Sequence, residues 1–311
     1  MSKLTSAILL FAAVHVLSAQ ETASQNRAAE PNLPAAPLIV PAEKPSTQSP
    51  AQNPPQNTDS TARTNLPYKI PALQILEFPV ALTREARISV SNSKNTPVDF
   101  ARGAIAVPRN FDPSLPTPIL LVSGTSDGDG SSVRAMQAFT NIALRLGWIV
   151  IAADGPFGKP GNDNPPWRWA MASSLLEHIH KTWPKSRRWP IATAGVSGGG
   201  KWSGVIGAIL ANRGYNLVGV FMGAVNQDLS SEAAKLYEPA VRYKKTPIFL
   251  SSGTDDKVAT PEHHGQVRES LLHSGFTSVR LETFKGGHAL SEAELRKALN
   301  WFIENYAKGE Q

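Results

Sequence analysis

From residue 118 onward, short and largely apolar runs alternate with longer stretches in which apolar positions recur every three or four residues. The runs fall at 119–122, 148–153, 191–194, 218–222, 248–250 and 279–281. The intervening stretches predict helices near 132–146, 168–182, 201–212, 262–274 and 291–306. A strand with no polar alternation is buried on both faces, and strands alternating with helices pack as a mainly parallel sheet with helices on both sides. The fold class is therefore α/β. Three earlier segments, 76–81, 86–90 and 103–107, alternate instead and are bounded by Asn, Pro and Asp, which predicts antiparallel strands at the sheet edge.

The chain begins differently. Lys3 precedes an apolar run from about Ala7 to Leu17 that ends at Ser18 and Ala19. The run is too short to span a bilayer, and its flanks are those of a signal peptide, residues 1–19, with cleavage expected near Ala19. Residues 20–66 carry Pro31, Pro34, Pro37, Pro41, Pro45, Pro50, Pro54 and Pro55 among Ala, Gln, Asn, Ser and Thr. Such a segment buries too little apolar surface to offset its ordering entropy and reads as a disordered linker. Residues 67–311 suffice for one domain with a large core. No later segment is apolar for long enough to cross a membrane, so no stable membrane insertion is expected once the signal is cleaved, and the expected location is secreted or periplasmic.

The chain has no cysteine, which excludes disulfides, thiolate metal sites and a cysteine nucleophile. Its formal charge of +6 comes without a basic run or interleaved aromatics, so no nucleic-acid partner is expected.

Residues 190–202, PIATAGVSGGGKW, admit two chemistries. Gly195-Val196-Ser197-Gly198-Gly199 is a G-x-S-x-G serine-hydrolase elbow. Gly195 to Lys201 also spells G-x-x-x-x-G-K, a phosphate-binding loop that fails at Trp202, where Ser or Thr should hold magnesium. The apolar strand ending at Asp154 resembles a magnesium-holding partner, but it precedes the loop instead of following it, and an exported protein meets no ATP. The hydrolase reading is preferred.

A serine nucleophile needs a histidine to take its proton and a carboxylate to orient that histidine. Gly124, Asp154, Ser197, Asp256 and His288 all fall just after a predicted strand or in the loop it enters, the end of such sheets where chemistry collects. Of the seven histidines, His15 leaves with the signal, His178 and His180 point in different directions on one helix, and His263, His264 and His273 belong to another. His288 alone follows a late strand within a Gly-rich loop. The acid is Asp255 or Asp256, which are adjacent and point apart.

The chain resembles the α/β-hydrolase superfamily over about residues 103–306. The likeness rests on Leu121-Val122-Ser123-Gly124, Gly195-Val196-Ser197-Gly198-Gly199, Gly253-Thr254-Asp255-Asp256-Lys257-Val258 and Gly286-Gly287-His288. The segment AIAVPRNFDPSLPTPILLVSG is similar to one in secreted esterases of the polyhydroxybutyrate-depolymerase and feruloyl-esterase kind, although Ser123-Gly124 stands where those enzymes usually have His-Gly. The resemblance implies an α/β-hydrolase fold, the chain order serine, acid, histidine, and Ser197, Asp256 and His288 as the catalytic set, with Asp256 favoured over Asp255. Position places the oxyanion-hole donors at Gly198 N–H and at Thr125 N–H, with Ser126 the alternative to Thr125. Trp167 and Trp169, after a long loop leaving a strand end, are expected either to wall the substrate site or to pack the core. No cofactor and no metal is expected; Asp127-Gly128-Asp129-Gly130 lacks the later ligands of a calcium loop. The expected partner is an ester substrate, small or polymeric. A serine peptidase of the same fold and an inactive binding protein on it are the alternatives.

Overall fold

The structure is a computed structural model that describes residues 66, 69–93, 95–126, 131–156, 164–238 and 240–309. The expected signal peptide, all of the expected linker but Leu66, and the turn at 127–130 lie outside the described residues.

Eight strands form one sheet: β1 (Leu76–Ala81), β2 (Phe100–Ala106), β3 (Ile119–Ser123), β4 (Ile149–Asp154), β5 (Ile191–Val196), β6 (Leu217–Gly223), β7 (Ile248–Gly253) and β8 (Val279–Phe284). Their order is β1-β2-β4-β3-β5-β6-β7-β8. β1 with β2 and β2 with β4 pair antiparallel, while every pairing from β4-β3 to β7-β8 is parallel. Every residue of β3 and β7 is buried, as an uninterrupted apolar run requires when helices cover both faces.

The helices are α1 (Arg84–Asn92), α2 (Ser131–Arg145), α3 (Pro165–Thr182), α4 (Gly198–Asn212), α5 (Leu229–Leu236), α6 (Val241–Lys245), α7 (Pro261–His273) and α8 (Glu292–Gly309), with a 3-10 turn at Pro184–Arg188. α2 and α8 cover one face, where Met136, Phe139, Leu299 and Phe302 meet Leu120, Val122, Phe221 and Phe249. α3 and α4 cover the other, burying Trp167, Met171, Leu175, Val205 and Ile209. Each such side chain, fully withdrawn from water, contributes about 1.5–3 kcal/mol.

One predicted strand is a helix. Residues 86–90 lie within α1, which Thr83 caps by accepting the Ala86 N–H at 3.1 Å, with Glu85 in the first turn. A strand would have turned Ala86, Ile88 and Val90 to one side. Instead Ala86 and Val90, four apart, share the buried helix face, while Ile88 is 51% exposed. Over five residues the two periodicities place the end residues identically, and the cap before the segment decides between them.

The chain runs from β3 to β4 on one side and then returns to β5 on the other. The order reverses between β3 and β5, the point at which open α/β sheets place ligands outside the carboxyl ends of their strands. Ser123 pairs with Gly195 there, so the residues that follow, Gly124 and Thr125 on one side and Val196 and Ser197 on the other, emerge side by side.

Candidate active site

Ser197 stands between the end of β5 and the start of α4, with φ 58° and ψ −128°. A non-glycine residue held there stores about 1–3 kcal/mol, and the surroundings must impose it. Two hydrogen bonds do so: Ser197 N–H donates to Gly223 O on β6 at 2.8 Å, and Lys201 N–H donates to Ser197 O at 3.1 Å. The turn is closed tightly over bare backbone. A Cβ on Gly195 would fall 2.2 Å from the Gly199 carbonyl, and one on Gly199 would fall 2.2 Å from Ser123 O. Glycine at both positions is what lets α4 start directly above β3 and β5, with the serine side chain thrust out from the turn.

Asp256 and His288 follow β7 and β8. Their loops are stitched together by Thr254 N–H to Phe284 O at 2.9 Å and Asp255 N–H to Gly286 O at 2.8 Å. Asp256 Oδ2 accepts from His288 Nδ1 at 2.8 Å. Its Oδ1 accepts from Val258 N–H at 2.8 Å and Ala259 N–H at 2.9 Å. The Asp256 side chain is fully buried and the imidazole 28% exposed, so one end of the ring is anchored and the other reaches solvent. Burial pushes the Asp256 carboxyl upward, but the hydrogen bonds from Ala259, His288 and Val258 outweigh it and hold the group below the ordinary carboxylate value. Asp255 is exposed and makes no hydrogen bond or ion pair with His288 among the described residues.

The structure thus joins His288 to Asp256 and sets Ser197 on the elbow. Ser197 Oγ and His288 Nε2 carry no hydrogen bond among the described residues. A nucleophile–base contact often tightens only with substrate in place.

Thr125 and Ser126 lie exposed at the end of β3. Neither Thr125 N–H nor Gly198 N–H has a partner among the described residues. Gly124 N–H donates to Ser132 Oγ at 3.0 Å, and the buried Asp154 carboxylate accepts from Ser132 N–H and Val133 N–H, both at 2.9 Å. Asp154 is therefore the anion at the N-terminus of α2, a structural post for which the helix dipole is favourable. That role removes the resemblance to a magnesium-holding acid. Lys201, the lysine of the phosphate-loop reading, donates to Asn226 Oδ1 at 3.1 Å.

Of the two tryptophans expected either to wall the substrate site or to pack the core, Trp167 packs the core. Trp167 is wholly excluded from solvent, leaving no face for a ligand. Trp169 meets Tyr215 edge-on at 6.3 Å and lies under Arg213, in a groove lined also by Glu177 and His180. Both sit in the first turns of α3, whose helical rotation, invisible in a local reading of the loop, turns one indole into the core and the other along the outer surface. The residue between them does face the site. Arg168 donates to Gly124 O at 2.9 Å and Thr125 O at 3.2 Å, and its guanidinium stacks 4.6 Å from the Trp202 ring centroid. Sequence reading passed over Arg168 and met Trp202 only as a defect in a phosphate loop.

The other buried histidines serve structure. His264 is fully buried; its Nε2 accepts from Val225 N–H at 3.0 Å and its Nδ1 donates to Thr260 O at 3.2 Å, and burial lowers its pKa. His180 contacts Ser186 Oγ at 2.8 Å, and burial holds its pKa down at about 4.

No protein-family model matches the sequence, and no curated protein is detectably similar to it in sequence. Solved structures do match the fold. The Pyrococcus furiosus esterase Pf2001 aligns over 75% of this chain and 92% of its own, at 14% identity and a TM-score of 0.50. A ferulic acid esterase aligns over 74% and 98%, at 14% identity and a TM-score of 0.52. At such identities the likeness is one of fold, and the fold of this chain is that of the α/β-hydrolases.

Proposed function

We propose that the protein is an exported serine hydrolase of carboxylic esters. The observation that carries the reading is the strained Ser197 backbone at the strand–helix turn, a conformation that costs stability and is explained by the need to present a nucleophile. The His288–Asp256 bond supports it from the neighbouring loops.

In this reading Ser197 Oγ attacks the ester carbonyl carbon while His288 Nε2 takes the hydroxyl proton. Asp256 keeps the remaining ring proton on Nδ1 and stabilises the imidazolium. The tetrahedral oxyanion lies at the N-terminus of α4, where Gly198 N–H and Thr125 N–H are free to donate to it; each such donor is worth about 3 kcal/mol. His288 returns its proton to the departing alcohol oxygen as the C–O bond breaks. Water, deprotonated by the same ring, then cleaves the acyl-Ser197 bond to release the acid and restore the serine. No metal or cofactor enters these steps.

Ester is the class to test first, since the esterases named above share the fold. Short acyl or aromatic esters are expected to react faster than long-chain lipids or peptide amides. A panel of nitrophenyl esters from acetate to palmitate, run beside a feruloyl ester and a peptide anilide, tests this: ester turnover that disappears in Ser197→Ala supports the proposal. Turnover that survives that change, or a faster anilide, speaks against it. For export, the mature protein should begin near Gln20; a mature chain retaining residues 1–19 would oppose that part.

A further inference from the structure

An arginine that is only 6% exposed is uncommon, and the fork of Arg168 is spent in part on two consecutive backbone carbonyls of the loop that follows β3. A peptide unit is planar and trans, so its C=O and N–H point in opposite directions. Gly124 O and Thr125 N–H belong to one peptide unit. The bond from Arg168 Nη1 to Gly124 O at 2.9 Å therefore fixes where the Thr125 N–H points, on the side away from the guanidinium. The bond from Nη2 to Thr125 O at 3.2 Å does the same for the following unit, which carries the Ser126 N–H. A charged donor on the carbonyl also polarises the amide and makes its N–H a stronger donor.

The clamp is tied to the nucleophile as well. Trp202, against which the guanidinium stacks at 4.6 Å, lies on α4 five residues beyond Ser197. Thr125 is packed so closely on the start of that helix that a Cβ at Gly198 would fall 2.9 Å from Thr125 O. Gly124 N–H is held from the other side by Ser132 Oγ. Among the described residues, every polar backbone group of Gly124 and Thr125 is thus engaged except one, the Thr125 N–H.

We propose that Arg168, stacked on Trp202, is a positioning residue that aims and polarises the Thr125 peptide as an oxyanion-hole donor. The inference rests on the serine-hydrolase reading. Its signature follows from what an oxyanion donor does: it acts on the tetrahedral state, not on the bound ester, so loosening it lowers kcat and leaves KM in place.

The test compares Arg168→Met and Arg168→Lys with the unaltered protein on one nitrophenyl ester, with rates normalised to active sites titrated by a fluorophosphonate. Arg168→Met should lower kcat by roughly 10²-fold, the loss typical of one donor, with KM within about three-fold. The inhibition constant of an alkyl trifluoromethyl ketone, which forms a tetrahedral adduct, should rise by the same factor as kcat/KM falls. Arg168→Lys keeps the charge but not the fork and should fall between. If Arg168→Met does not fold, Trp202→Leu leaves the arginine but removes its stacking surface, and should show the same split, smaller in size. A purely structural arginine would lower the melting temperature and the titratable fraction while leaving kcat per active site within two-fold, and that result overturns the proposal. Absence of fluorophosphonate labelling at Ser197 in the unaltered protein is a different failure: it removes the serine-hydrolase reading and this inference with it.

Discussion

Replacing Asp256 with Asn tests the orientation of His288 with almost no change of volume. The outcome depends on which way the new amide turns. Asp256 Oδ1 accepts two backbone donors, Val258 N–H at 2.8 Å and Ala259 N–H at 2.9 Å, and these donors are unchanged by the substitution. An asparagine must offer them its carbonyl oxygen, which leaves its NH₂ where Oδ2 meets His288 Nδ1 at 2.8 Å. Nδ1 then becomes an acceptor, the ring proton moves to Nε2, and the nitrogen that should take the serine proton is already protonated. Turning the amide over restores the working tautomer but faces NH₂ against two N–H groups. At about 1–3 kcal/mol for each buried group left unsatisfied, the working arrangement lies about 2–6 kcal/mol above the other. That is a loss of roughly 30-fold to roughly 10⁴-fold in kcat, reaching the size of the corresponding substitution in a well-known Ser-His-Asp protease. Asp255→Asn, at an exposed position, should stay within two-fold. Steady-state kinetics on a nitrophenyl ester, with active sites titrated, measures both. Asp256→Asn within ten-fold of the original enzyme, or Asp255→Asn as the damaging change, would refute the reasoning.

Gly199→Ala should lower stability by about 1–3 kcal/mol or more, because its Cβ would lie 2.2 Å from Ser123 O in a turn that has no room to yield; urea denaturation measures it, and an unchanged midpoint would mean the turn relaxes freely. His180 has its pKa held down at about 4 by burial, with Arg187 adding to the effect, against an ordinary value of 6.5. The unfolded chain therefore binds a proton that the folded chain refuses between those values, and stability is lost as pH falls from about 6.5 to about 4. His180→Phe abolishes this difference, so denaturation at pH 7 and pH 4.5 should show the original protein losing about 2 kcal/mol more than the variant on acidification; equal losses would contradict the burial of a neutral imidazole.

Much of this architecture is written in the periodicity of the chain. The apolar runs became β3 to β8: the inner ones, covered by helices on both faces, are buried almost throughout, whereas β8, at the end of the sheet and carrying Arg280, is only partly buried. The edge was harder to read: Ala86 and Val90 satisfy a strand and a helix equally, and the deciding signal was Thr83, a cap lying outside the alternating segment. α5 and α6 went unforeseen, being 8 and 5 residues long, too few turns to establish a period. At the site, the G-x-S-x-G turn was legible because its glycines answer a local steric demand. The adjacent Asp255 and Asp256 were separated in the sequence only by their place in the motif shared with the α/β-hydrolases; in the structure, burial and the donors that surround Asp256 distinguish them. Arg168 left no trace at all, since its partners are carbonyl oxygens that every residue carries. Their place after a loop left Trp167 and Trp169 open between substrate wall and core, and the turn of α3 decides it: Trp167 is buried, and Trp169 lies against Tyr215 and Arg213.

The central claim is that Ser197 is a nucleophile activated by His288. Incubating the folded protein with a fluorophosphonate and mapping the modified peptide tests it most directly. The account predicts a single phosphonylated residue, Ser197, with labelling slowed by orders of magnitude in His288→Ala although the serine is still present. A folded protein that takes up no label, or one modified at another residue, would contradict it.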